Sequence, residues 1–139
     1  MKKLIALTLF LSLLVSCSID DDNQVNYGFE VLPVESVDMP EAFVFGETYP
    51  INVSYFRPSS CHFFNEFYYV KDVNQRTVAP ITVVYDYDNC ETLEEDLVVS
   101  SFNFVVTSKE PYVFKFWQGE DDNGNDVYLT IEVPVTEEN

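Results

Sequence analysis

The sequence predicts an all-β fold, a two-sheet antiparallel sandwich of about seven strands, on three observations. Apolar and polar residues alternate with period 2 through most of the chain, the spacing that buries one face of a strand. Turn residues punctuate these runs at short intervals, and no stretch of helical period follows the first 16 residues. The 139 residues are also rich in rings, with twelve Phe, nine Tyr and one Trp, and Phe and Tyr suit a half-buried pleated surface.

The first element in order is an export segment. MKKLIALTLFLSLLVSCS has two lysines, an apolar run from Leu4 to Val15 and small residues ahead of a cysteine, the layout of a cleaved signal peptide. The run is well short of the roughly 20 residues that a membrane-spanning helix requires. Leu14-Val15-Ser16-Cys17 resembles the lipobox at which lipoprotein signal peptidase cuts before the cysteine. The resemblance covers only this leader. It implies a bacterial lipoprotein in which residues 1–16 are removed and Cys17 carries a diacylglyceryl thioether, usually with a third acyl chain on its amine. Each buried methylene adds about 0.8 kcal/mol of membrane affinity, so two or three chains anchor stably where one does not.

Residues 17–24 are then the lipidated cysteine and an acidic tether. Ser18-Ile19-Asp20-Asp21-Asp22-Asn23 resembles the export signal that follows the cysteine in surface lipoproteins of Bacteroidota, and serine next to the cysteine implies the outer membrane. The expected location is a lipid anchor in the outer membrane, facing the cell surface. With the tether acting only as a flexible spacer, the domain faces the periplasm instead.

The strand pattern begins at Val25. Val25, Tyr27, Phe29 and Val31 alternate with polar residues as in a strand with one buried face, and Pro33 and Pro40 bracket an irregular or edge segment. Tyr49, Ile51, Val53 and Tyr55 form the next alternation, closed by the turn Arg57-Pro58-Ser59-Ser60. From Cys61 to Lys71 both faces carry rings, which predicts a central strand or one whose outer face makes contacts. Val78–Tyr85 follows, with Pro80 pointing to an edge or bulge position. Leu97–Val106 is one long strand or two pieces, and Lys109-Glu110-Pro111 turns into Tyr112, Phe114 and Phe116. Asn123-Gly124 signals a hairpin whose second strand runs from Val127 to Val133. The sandwich domain is thus residues 25–135, with a fraying tail at 136–139.

Pro111-Tyr112-Val113-Phe114 resembles the tyrosine-initiated penultimate strand of immunoglobulin-like sandwiches, and the resemblance implies that version of the fold. The Cys-Trp-Cys order of antibody domains is absent, because the single Trp follows both remaining cysteines.

Removing the leader leaves 123 residues with five basic and 24 acidic side chains, a net charge of −19. That balance argues against nucleic acid as a partner, because phosphate binding requires clustered Lys and Arg. Cys61 and Cys90 form an even pair in an oxidising compartment, which predicts a disulfide; two free thiols are the alternative. His62 is the only histidine, so neither a zinc site nor a nucleophile-His-acid triad gathers support from sequence, and no cofactor is expected. Asp121, Asp122, Asn123 and Asp126 are oxygen-rich calcium candidates, but Gly124 does not fall where an EF-hand loop places its glycine.

These features lead to a non-catalytic, membrane-anchored binding or scaffolding module whose partners are outer-membrane lipid through Cys17 and an envelope protein or glycan. Tyr68, Tyr69, Trp117 and Tyr128 are the candidate binding rings. The rival readings are a small envelope hydrolase using paired carboxylates and a calcium-dependent adhesion module.

Overall fold

A computed structural model describes residues 25–137. The signal peptide at 1–16, Cys17 and the tether at 17–24 lie outside the described residues. Ten strands form: β1 (Tyr27–Val31), β2 (Val34–Asp38), β3 (Phe43–Val44), β4 (Thr48–Phe56), β5 (His62–Asp72), β6 (Gln75–Tyr85), β7 (Leu97–Val105), β8 (Tyr112–Glu120), β9 (Asp126–Val133) and β10 (Val135–Thr136). All seven expected strands are among them, and the fold is an all-β sandwich. The segment between Pro33 and Pro40 supplies β2, an edge strand paired only with β4.

One layer is β2-β4-β7. The other holds β1, β5, β6, β8 and β9 around β6, and β3 pairs with β10 at the side. Side chains from both layers meet in a core containing Phe43, Ile51, Val53, Val78, Phe104, Phe114, Phe116 and Val133. Its rings pack edge to face, with centroids 4.9 Å apart for Phe104–Tyr112 and 5.1 Å for Phe104–Phe114. Such pairs add about 0.5–1.5 kcal/mol each beyond the area they bury.

Most pairings are antiparallel as expected, but β6–β8 and β3–β10 run parallel. Alternation along a strand carries no information on its neighbour's direction. Pro80 is also corrected: it sits inside β6, a strand with neighbours on both sides. One edge of β6 is paired along its length with β5. The other edge is shared, with β8 on Gln75–Val78 and β1 on Ile81–Tyr85. Pro80 falls between the two, where no ladder requires its missing N–H, while its carbonyl accepts from Leu32 N at 3.0 Å.

The tail expectation shifts by one residue. Thr136 is paired with Val44 rather than frayed, its Oγ1 donating to Phe43 O at 3.1 Å and its carbonyl accepting from Phe45 N at 2.9 Å. Cys61 and Cys90 are joined in a disulfide that ties the start of β5 to the loop before β7. In the chain-entropy model a loop of this length stabilises by about 3.5 kcal/mol.

Tyr112 opens β8 fully buried, and its hydroxyl accepts from the backbone N–H of Thr107 at 3.0 Å and of Ser108 at 2.8 Å. This is the corner geometry of a tyrosine-initiated strand. These bonds depress the phenol pKa against the opposing effect of burial, with the nearby Arg76 charge acting in the same direction as the bonds. Tyr112→Phe keeps the ring but strands two N–H donors, and is expected to cost about 1–3 kcal/mol in urea unfolding. Phe114→Ala, which empties the core centre, should cost about 3–5 kcal/mol in the same assay.

Candidate functional site

Alternation along β8 sends Tyr112, Phe114 and Phe116 into the core and leaves Val113, Lys115 and Trp117 on the outer face of the five-stranded layer. Register carries the same face across the sheet. Trp117 stands opposite Tyr128 on β9, and Tyr68 on β5 stands opposite Ala79 on β6. Three of the four rings singled out by sequence therefore meet. Tyr68, Trp117 and Tyr128 line one groove of about 230 Å³ together with Val31, Thr77, Ala79 and Asp126. It opens where β1 hands over to β8 along the edge of β6, with the small Thr77 and Ala79 between the larger rings.

Asp126 fixes the ring geometry. Its Oδ1 accepts from Trp117 Nε1 at 2.8 Å and its Oδ2 from the Tyr128 hydroxyl at 3.3 Å. Lys115 Nζ lies 4.2 Å from the Tyr128 ring centroid, a cation–π contact. Burial, then the Asp126 carboxylate and its hydrogen bond, and then Tyr68 hold the Tyr128 phenol above its usual pKa. The groove thus brings together the Tyr128 and Tyr68 phenols, the Trp117 indole and the Asp126 side chain.

Tyr69 does not join them. It lies on the opposite face of β5, level with Val78, with its ring 5.7 Å from Phe102. Burial raises its phenol pKa, while the neighbouring Arg76 pulls the other way.

The aromatic surface is wider than the sequence suggested. Val25, Tyr27, Phe29 and Val31 were expected to bury a face, but all four are exposed, Tyr27 at 61 % and Phe29 at 63 %. The correction follows from register, since β1 adds its residues beside the outward side chains of Ile81, Val83 and Tyr85. Tyr27 lies 6.1 Å from Tyr85, Phe63 5.9 Å from Tyr85, and Tyr85 stacks on Tyr87 at 5.3 Å. β5 is an edge strand rather than a central one, so its outer rings share this surface. Only the doubled ring content of Cys61–Lys71 hinted at an exposed face.

The calcium candidates separate. Asp121 Oδ1 accepts from the N–H of Asn123 at 2.8 Å and of Asn125 at 2.9 Å, closing the β8–β9 turn, whereas Asp126 serves the groove. Asp122 and Asn123 are exposed beside that turn. Among the described residues no three His, Cys, Asp or Glu side chains gather as a metal-binding group.

Ser59, His62 and Glu30 do form a chain that sequence could not assemble, because Glu30 comes from β1. Ser59 Oγ is 2.7 Å from His62 Nδ1, and His62 Nε2 is 2.8 Å from Glu30 Oε2. A nucleophile of this kind also requires free N–H groups to stabilise an oxyanion. The adjacent donors are occupied: Ser60 N bonds Glu91 O, Cys61 N bonds Ser59 Oγ, and His62 N bonds Ser59 O. The chain therefore ties β1 to the turn before β5, with His62 buried between Ser59 and Glu30.

Compared with protein-family models, curated proteins and solved structures, the chain matches none.

The Asp121 bonds hold its carboxyl below the ordinary range, with the Asn125 N–H the largest cause. Its contribution is present above the ordinary carboxylate pKa and is lost as pH falls through the lowered value. The Tm difference between wild type and Asp121→Ala should accordingly narrow on acidification from pH 7.

Proposed function

We propose that the mature protein is a lipid-anchored, non-catalytic module of the bacterial outer membrane whose aromatic sheet face binds a glycan. One observation carries the reading. Tyr68, Trp117 and Tyr128 converge on a groove in which Asp126 orients two of the rings and offers carboxylate oxygens beside them. Sugar rings present axial C–H groups to aromatic faces and hydroxyls to carboxylates, which is the pairing this groove supplies. Tyr27, Phe29, Phe63, Tyr85 and Tyr87 continue the aromatic surface beside the groove.

The same groove weighs against the hydrolase reading. Glycoside hydrolysis uses two carboxyl groups flanking the bond, and Asp126 is the one acid among the described residues that line it. The lipid anchor rests on Leu14-Val15-Ser16-Cys17 and the acidic residues after it. A free acidic tether would let the face reach beyond the membrane surface.

Trp117 is the chain's single tryptophan, so its fluorescence reports on the groove without labelling. Titrating the mature chain with a panel of soluble envelope polysaccharides is expected to give saturable quenching with at least one member. Tyr68→Ala and Tyr128→Ala should each weaken that binding by tenfold or more, about 1.4 kcal/mol. An emission spectrum indifferent to every polysaccharide, or quenching that both variants retain, would remove the glycan reading.

A further inference from the structure

The face of β5 turned away from the groove carries a second, differently charged arrangement. Lys71 and Arg76 stand directly opposite each other across the β5–β6 hairpin. Directly opposed like charges destabilise an antiparallel pair. Although the chain holds 24 acids, the salt bridges among the described residues leave both without a carboxylate partner. The other basic side chains there are engaged: Arg57 pairs with Asp96, Lys109 with Glu137, and Lys115 lies over Tyr128.

Arg76 is only 3 % exposed. Its Nη1 donates to the carbonyls of Val73 and Gln75, each at 2.8 Å, and its guanidinium carbon lies 5.0 Å from the Tyr112 ring centroid. These contacts fix its orientation without neutralising it. A charge removed from water is costly unless an opposite charge meets it. Both cations line one cavity of about 440 Å³, whose walls include Phe67, Tyr69, Phe102 and Phe104. The cavity exists because β5 and β7 are the edge strands of their respective sheets, with no ladder joining them.

We propose that this cavity is an anion site that takes a carboxylate carried on a six-membered ring. The carboxylate would lie between the Lys71 ammonium and the Arg76 guanidinium, and the ring would pack against Tyr69 and Phe102. The buried Arg76 guanidinium is screened less by water than a surface charge, which strengthens its attraction for an anion. The site is separate from the Trp117 groove, so it stands whether or not that groove binds a glycan.

The test is a titration of the mature chain with benzoate and with glucuronate, beside the neutral benzamide and glucose, followed by the Arg76 Nε–H and Lys71 amide signals in NMR. Saturable shifts with a carboxylate and none with its neutral counterpart are expected. The tighter of the two acids identifies the ligand as an aromatic acid or an acidic sugar. Lys71 is exposed, so its variants should fold. Lys71→Gln is expected to weaken binding at least tenfold. Lys71→Glu should abolish it while raising Tm, because it sets an acid opposite Arg76. Equal shifts with the neutral probes, no saturable shift with either acid, unchanged binding by Lys71→Gln, or a lower Tm in Lys71→Glu would each overturn the proposal.

Discussion

Tyr112, Phe114 and Phe116 point to one side of β8 and Val113, Lys115 and Trp117 to the other, and a slip of one residue would exchange the two sets. The core and the outer face are thus two consequences of a single register. The slip is blocked at both ends of the strand. At the start, the Tyr112 hydroxyl is held by the Thr107 and Ser108 amides; near the end, Gln118 Nε2 donates to Val34 O on the facing layer at 3.2 Å. Between them, the Phe114 and Phe116 rings stack on each other with centroids 5.8 Å apart. With β8 fixed, the pairing to β9 places Tyr128 beside Trp117.

The divided edge of β6 supplies the rest of the groove. Two strands meet that edge end to end, and Pro80 stands at the join, where a residue with an N–H would have lacked a ladder partner. The join leaves room above Ala79 and Thr77 that an unbroken neighbouring strand would have filled with its own side chains. A residue that looks like a flaw in a central strand is therefore accommodated at the join beside the groove. On the other side of the molecule, the unjoined edges of β5 and β7 leave the gap into which Lys71 and Arg76 project.

Much of the fold was legible because its signals are local. Alternation marked seven strands, Asn123-Gly124 marked the last hairpin, Pro111-Tyr112 marked the corner, and the even cysteine pair marked the disulfide. The sign of an alternation was not legible: Tyr27, Phe29 and Val31 share a face, but nothing local says whether that face turns inward. Strand direction was hidden for the same reason, so the β6–β8 and β3–β10 pairings came as corrections. Of the four rings singled out by sequence, Tyr68, Trp117 and Tyr128 share one groove, while Tyr69 was grouped with them although adjacent residues on a strand must face opposite ways. Contacts between distant positions, such as Glu30 with His62 and Asp126 with Trp117, depend on tertiary register and had no signature of their own.

On the proposed reading the outer rings serve contact and the fold does not depend on them. Equilibrium urea unfolding of a chain carrying Tyr27→Thr, Phe29→Thr, Phe63→Thr and Tyr68→Thr tests it most directly, because Thr preserves strand propensity while removing the rings. The expected loss is about 0.5–1.5 kcal/mol for each change, the scale of one exposed ring pair. A loss of several kcal/mol per ring, as for a core Phe, would contradict that reading and make that face part of the folding core.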